Sequence, residues 1–337
     1  YIKRMAVNAF EAQSRATRGK AAAKIKEDDV VEHFLTCCDH DRVLFFSDRG
    51  VVYTVSAYQI PAASRTARGI PIVQMLPIPK DEKITSMVAV MEFTEDEYLV
   101  MLTRKGYIKK TALSAFSNIR ANGLIAISLE EGDQLRWVRL AHPEDSVMIG
   151  SRSGMVIHFK ADGEQLRPTG RTSRGVKSMK LRGNDEVISM DILPSQVIAN
   201  IGTAIDGEED EAQESEELLA EEVKQGPWVL AITTGGYGKR VPISQFRLQN
   251  RAGMGVRAIK FRSEKDRLAT IHVVNQEDEL MIVSSRGIII RQVVDAISLQ
   301  SRMARGVRVQ RLDEEDAIAA VALVPPSAED EAEVEEE

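Results

Sequence analysis

Arginine recurs in this chain as pairs three residues apart, each closed by glycine. The chemistry open to such a grouping is anion binding. The full copies are Arg15-Ala16-Thr17-Arg18-Gly19, Arg65-Thr66-Ala67-Arg68-Gly69, Arg171-Thr172-Ser173-Arg174-Gly175 and Arg302-Met303-Ala304-Arg305-Gly306. Arg120-Ala121-Asn122-Gly123 and Arg251-Ala252-Gly253-Met254-Gly255 are looser copies. A planar guanidinium can donate two hydrogen bonds to one phosphate. Glycine permits the tight or left-handed backbone that throws its neighbours' side chains outward. Lys20, Lys24, Lys177, Lys180, Arg257, Lys260 and Arg308 follow the turns, and Lys109, Lys110, Lys239, Arg240 and Arg291 stand on strands that add to the same positive set. One copy alone would be a solvated turn or a brace between neighbouring elements. Recurrence at a regular step raises the set above that.

The closing glycines fall at 19, 69, 123, 175, 255 and 306, at intervals of 50, 54, 52, 80 and 51 residues. A second motif keeps the same step: an apolar run, Ser/Thr-x-x-Gly, and another β-rich run. It occurs around Ser47-Asp48-Arg49-Gly50, Thr103-Arg104-Lys105-Gly106, Ser151-Arg152-Ser153-Gly154, Thr233-Thr234-Gly235-Gly236 and Ser284-Ser285-Arg286-Gly287. Each predicts a β-hairpin on a glycine turn. Tyr1 to Phe10 parallels Tyr107 to Phe116, so the chain opens on half a copy. Repeats of about 50 residues with about four strands each predict an all-β, six-bladed propeller-like ring whose first blade is truncated at the N-terminus. Copied around such a ring, the arginine turns would form a curved basic track at its rim.

The net charge of −7 hides a sign contrast. Residues 206–222 carry −10 and residues 329–337 carry −7, which leaves +10 on the remainder. A basic body favours a polyanionic partner. The long interval of 80 holds the first acidic stretch. The domain reading is therefore blades over 1–195, an acidic disordered insert over 196–226, blades over 227–325 and an acidic disordered tail over 326–337. The acidic stretches are expected to solubilise the chain or to compete with its ligand for the rim. No apolar run approaches the roughly 20 residues that span a bilayer. Cys37 and Cys38 are adjacent and are expected to be buried free thiols. The five histidines show neither metal-ligand spacing nor a catalytic triad.

Gln13-Ser14-Arg15-Ala16-Thr17-Arg18-Gly19 resembles the box motif of the C-terminal domains of DNA gyrase A, Gln-(Arg/Lys)-Arg-Gly-Gly-(Arg/Lys)-Gly. Lys20 to Phe34, His40 to Tyr53, Tyr58 to Leu76 and Gly236 to Arg240 are also similar to that family, most of all to its cyanobacterial and plastid members. The resemblance implies a β-pinwheel, in which neighbouring blades exchange strands. It also implies non-sequence-specific DNA binding, bending and chiral wrapping in support of ATP-dependent negative supercoiling. It carries box roles to Gln13, Arg15, Arg18 and Gly19. Ser14, Ala16 and Thr17 depart from the pattern, and Gln300 to Gly306 matches the first copy equally well.

With the repeats, the expected DNA-binding set is Gln13, Arg15, Arg18, Gly19, Lys20, Lys24, Arg65, Arg68, Lys109, Lys110, Arg120, Arg171, Arg174, Lys177, Lys239, Arg240, Arg251, Arg302 and Arg305. The resemblance implies double-stranded DNA, the upstream breakage-reunion domain and the gyrase B subunit of an A2B2 assembly as partners, without a membrane. It implies a cytoplasmic, chromosome-associated location, or a plastid. Catalytic residues, ATP and Mg are expected elsewhere in that assembly, and no cofactor is expected here. A topoisomerase IV-type domain binding DNA crossings, and a protein-binding propeller scaffold, remain alternatives.

Overall fold

The computed structural model describes residues 1–6, 20–21, 33, 35–64, 67–200 and 226–324. The first strand is β1 (Lys20–Ala21). Three strands from one repeat then build each sheet. They are β2 (Arg42–Ser47), β3 (Val51–Ser56) and β4 (Ile84–Val90); β5 (Tyr98–Thr103), β6 (Tyr107–Ala112) and β8 (Leu135–Ala141); and β9 (Ser146–Ser151), β10 (Met155–Lys160) and β12 (Val187–Leu193). The last two sets are β13 (Trp228–Thr233), β14 (Tyr237–Pro242) and β16 (Leu268–Val274), and β17 (Glu279–Ser284), β18 (Ile288–Val293) and β20 (Ile318–Val324).

Each sheet borrows its fourth strand. The two-residue pieces β7 (Leu124–Ile125), β11 (Val176–Lys177), β15 (Val256–Arg257) and β19 (Val307–Arg308) pair antiparallel with β3, β6, β10 and β14 of the preceding repeat. β18 takes β1, so the last sheet is completed from the first repeat and the array closes on itself. The result is the strand-exchanged propeller that the family resemblance implies.

Among the described residues this gives five four-stranded blades, not six. The first repeat contributes two isolated bridges, Ile2 with Ile70 and Arg4 with Ala62. The second of these is parallel, like Lys110 with Pro168 and Arg240 with Leu299 in complete blades. Residues 1–6 thus occupy a third-strand position.

The hairpin motif has a direct physical reason. The Ser/Thr hydroxyl accepts the backbone N–H of the residue after the glycine: Val51 on Ser47 at 3.2 Å, Tyr107 on Thr103 at 3.1 Å, Tyr237 on Thr233 and Ile288 on Ser284 at 3.3 Å. Apolar side chains on both faces of the hairpin strands pack between neighbouring sheets. Leu44 and Phe46 of one blade meet Leu99, Met101 and Phe116 of the next in one buried cluster.

β4, β8, β12, β16 and β20 pack successively against one another and form the inner ring. The borrowed strands lie at the opposite, outer edge of each sheet. Every arginine turn therefore enters an outer edge. Ser195–Asn200 is a helix, α1, and Val197 packs against a core cluster. Residues 201–225 and 325–337, the rest of the expected acidic insert and the tail, lie outside the described residues.

At Gly255 the turn runs at φ +74°, and a Cβ would stand 2.5 Å from the Val156 carbonyl oxygen. Gly255→Ala therefore forces left-handed strain and backbone displacement together, with an expected loss of about 3 kcal/mol. Gly163, with nothing within 4 Å of its would-be Cβ, is the control, and Gly163→Ala is expected to shift stability by less than about 0.5 kcal/mol. Urea midpoints of the two variants check the difference.

Candidate nucleic-acid interface

From the turn at 120–123 to that at 302–306 the rim is continuous because consecutive turns bond to one another. Five residues beyond Gly123, Gly175 and Gly255, a backbone N–H reaches the next turn: Ser128 to the Ser173 carbonyl at 3.2 Å, Lys180 to Gly253 at 2.8 Å and Lys260 to Ala304 at 3.2 Å. This spacing repeats the chemistry at two further positions. Two and five residues after the glycines stand Lys177 and Lys180, Arg257 and Lys260, and Arg308 and Arg311, all exposed. After Gly123 the same positions hold Ile125 and Ser128. Positive charge is therefore dense along the turns at 171–182, 251–262 and 302–311, and sparse at 120–128.

The two arginines of a turn have different fates. The first is half-buried and ties its turn to the preceding repeat. Arg251 donates from Nε to the Gln165 carbonyl at 2.7 Å and from Nη1 to the Lys177 carbonyl at 2.5 Å. Arg302 donates from Nη1 to the Arg257 carbonyl at 3.1 Å. Arg171 is half-buried as well. The second is exposed. Arg68 lies over the Tyr1 ring at 3.6 Å. Arg174 lies over Tyr107 at 5.2 Å and bonds Glu130 at 2.5 Å. Arg305 is exposed without a side-chain partner among the described residues, and so is Arg120, the single arginine of its turn. Arg308 donates to the Tyr237 hydroxyl at 2.9 Å.

Four expected contact residues point the other way. Lys109, Lys110, Lys239 and Arg240 are buried, at 1%, 2%, 0% and 8% exposure. Neighbouring blades cover both faces of a third strand, so neither parity of its alternation reaches solvent. Lys109 Nζ donates to the carbonyls of Ala126 at 2.9 Å, Gly170 at 2.8 Å and Arg171 at 2.7 Å. Lys239 Nζ donates to Ser301 and Arg302 at 2.6 Å and to Ala304 at 3.0 Å. Lys110 donates to the Ala161 carbonyl. Arg240 donates to the Ile297 carbonyl at 2.6 Å and pairs with Asp295 at 3.1 Å. Burial, then the nearby Arg171 guanidinium, pushes the Lys109 amine down to about 8. Burial and Arg302 push Lys239 down to about 7, while the carbonyl acceptors oppose the loss of its proton.

A family model described as the DNA gyrase C-terminal domain, β-propeller, matches residues 1–38, 41–91, 97–142, 145–194, 227–275 and 278–325. The chain belongs to this family. The A subunit of DNA gyrase from Synechocystis sp. is 70% identical over 333 residues, covering 98% of this chain and 39% of the relative. The chloroplastic/mitochondrial gyrase A protein of Arabidopsis thaliana is 43% identical over 341 residues, covering 99% of this chain and 34% of the relative. The chain thus spans between a third and two fifths of the length of these relatives. A solved DNA gyrase A C-terminal domain shares the fold with a TM-score of 0.77 at 23% identity, covering 96% of each chain.

The six segments of the gyrase C-terminal domain match correspond to the six sequence repeats, and the first of them, 1–38, is the one that builds no complete sheet among the described residues. Gln13, Arg15, Arg18, Gly19, Lys24 and Arg65 lie outside the described residues, and Lys20 is placed by its backbone in β1. Cys37 and Cys38 are exposed rather than buried. No group of three His, Cys, Asp or Glu side chains able to hold a metal occurs among the described residues.

The charge inversion at Lys109 and Lys239 was open to sequence reading in one respect. Tyr-x-Lys-(Lys/Arg) opens residues 1–4, 107–110 and 237–240, with the tyrosine beside an exposed arginine and the lysine beneath a turn.

Proposed function

We propose that this gyrase C-terminal domain binds double-stranded DNA along its outer rim without sequence preference, bends it and wraps it with one hand. The observation that carries this reading is the bonded row of turns that brings exposed cations to equivalent positions from Arg174 to Arg311. Each neutralised phosphate contributes about eightfold to affinity at 0.1 M salt, through release of condensed counterions. Bending costs on the order of 1–6 kcal/mol for each 40–90°, and about 1.4 kcal/mol corresponds to tenfold, so a few contacts offset each increment. Backbone charge carries no base code, so the contacts position the duplex rather than specify it.

In this reading the domain supports ATP-dependent negative supercoiling by an A2B2 assembly with gyrase B subunits and the upstream breakage-reunion domain. It acts at the chromosome in the cytoplasm, or in a plastid. The cleavage chemistry, ATP and Mg belong to the other parts of that assembly. Wrapping is favoured over the clamping of crossings because the contacts run along a continuous edge.

Affinities for two duplexes of unrelated sequence, measured from 50 to 200 mM salt, test the reading. Equal affinities and a steep, equal salt slope are expected. A strong sequence preference or a flat slope would refute it.

A further inference from the structure

We propose that Lys3, Lys109 and Lys239 are positioning residues for DNA: each amine draws the carbonyls of one rim turn inward and so fixes the outward course of that turn's second arginine. This rests on the DNA-binding reading above and assigns part of it to side chains that never meet the duplex.

The three amines make the same contacts. Lys109 gathers Gly170, Arg171 and Ser173, the last at 3.4 Å. Lys239 gathers Ser301, Arg302 and Ala304. Lys3 takes Ser64 at 3.2 Å and Ala67 at 2.8 Å, the first and last members of the same set. A turn whose carbonyls converge on one amine, buried at Lys109 and Lys239 and part-exposed at Lys3, directs its side chains away from it. Two residues earlier on each of these strands, Tyr1 and Tyr107 flank the outgoing guanidinium groups of Arg68 and Arg174, while Tyr237 flanks Arg308 on β19, just beyond its turn.

The fold itself does not require a cation at this position. In the intervening repeats strand register puts Tyr53 on β3 and Ile157 on β10 there, and both sheets complete their outer pairs. What changes is the turn. The turns over Tyr53 and Ile157, Arg120–Gly123 and Arg251–Gly255, carry one arginine each. The turns over Lys3, Lys109 and Lys239 carry two. The equivalent position on β18 is Ile290, and the sequence copy at 15–19, which carries two arginines, lies outside the described residues. Burying an ammonium is unfavourable unless its donors are matched. Among the described turns, lysine stands beneath those with two arginines, and Tyr53 or Ile157 beneath those with one.

Phosphate at the rim would favour the charged amine, so by linkage the protonated domain should bind DNA more tightly than the deprotonated one. The charged groups facing the amines are Arg171 for Lys109 and Arg302 for Lys239.

The test is the affinity of the full chain for a mixed-sequence duplex at fixed salt between pH 6.5 and 9. Wild type is compared with the Lys109→Met/Lys239→Met double variant and with Arg305→Ala. Wild-type affinity is expected to fall several-fold across this range. The double variant should bind roughly tenfold more weakly at pH 6.5, about 1.4 kcal/mol, with a flat profile. Arg305→Ala should weaken binding yet keep the pH dependence. A folded double variant with wild-type affinity at pH 6.5 would overturn the proposal; should it not fold, Lys3→Met takes its place, and unchanged affinity for that variant would overturn the proposal as well. Absence of DNA binding by wild type would instead remove the functional reading along with the proposal.

Discussion

Replacing Arg305, Arg308 and Arg311 together by alanine is expected to lower DNA affinity on the order of 500-fold at 0.1 M salt and to reduce the slope of log K against log salt by about 2.7. All three are exposed on the outer edge, at and just after the last arginine turn. They are surface side chains, so the fold should persist. The loss comes from three phosphate contacts, each releasing condensed counterions. Both numbers must move together, because counterion release sets affinity and slope alike. Arg136→Ala is the matched control: Arg136 is equally exposed but lies on β8 in the inner ring, and its removal should change neither quantity. Fluorescence anisotropy with a labelled duplex over a salt series measures both.

Asp191→Ala is expected to destabilise the fold by about 3–5 kcal/mol, the usual consequence of removing one partner from a buried charge pair. Asp191 sits on β12, and its carboxylate joins inner strands from three blades. Oδ2 accepts the Val273 N–H at 2.8 Å and lies 3.3 Å from His272 Nδ1 on β16. Arg139 on β8 lies 4.0 Å from Oδ1. The other ring nitrogen of His272 is 3.1 Å from the Val321 carbonyl oxygen on β20. Burial alone would raise this carboxyl, but the His272 hydrogen bond and charge, Arg139 and the Val273 N–H together hold it below the usual carboxylate range.

The sign of the pH effect follows. A carboxyl with a depressed folded pKa contributes stability above its unfolded value, near 3.8. That contribution is lost as pH falls through the folded value. Wild type should therefore lose stability on acidification below about pH 4, and Asp191→Ala should lose less over the same window. Urea unfolding at pH 7 and at pH 3.5 measures both. A loss under about 1 kcal/mol at pH 7 would show that the strands do not depend on this pair.

Much of the architecture was legible because it is local. The Ser/Thr-x-x-Gly hairpins close through hydrogen bonds spanning four residues, as between Tyr107 and Thr103. The arginine turns are marked by glycine, and the 50-residue step announces a ring. The strand exchange was carried by the family resemblance, since β11 is only two residues long and pairs with β6 some 70 residues earlier. The inner-ring pair of Asp191 and His272 is equally non-local, at a separation of about 80 residues, and no periodicity encodes it. The blade count depended on equating six repeats with six sheets, whereas the described part of the first repeat supplies a third strand and the borrowed edge β1.

The site was half legible for a related reason. Lys109 and Lys239 were grouped with the rim by charge type, yet their direction is decided by the neighbouring blade that covers the third strand. Arg251 and Arg302 belong to the rim in sequence, but their guanidinium groups bond carbonyls of the preceding repeat. Arg174 and Arg305 match the expectation of exposure. Nothing in the pair spacing separates the bracing arginine from the exposed one. The lysine beneath a turn does mark where the second arginine occurs in the described repeats.

The most direct measurement of the central claim is the linking number of a nicked circular duplex ligated in the presence of the chain at low salt. If the rim guides the duplex around the ring, the topoisomer distribution should shift with one sign, in proportion to bound protein, and the shift should vanish for the Arg305/Arg308/Arg311 alanine variant. Saturated binding with an unshifted distribution would contradict the account.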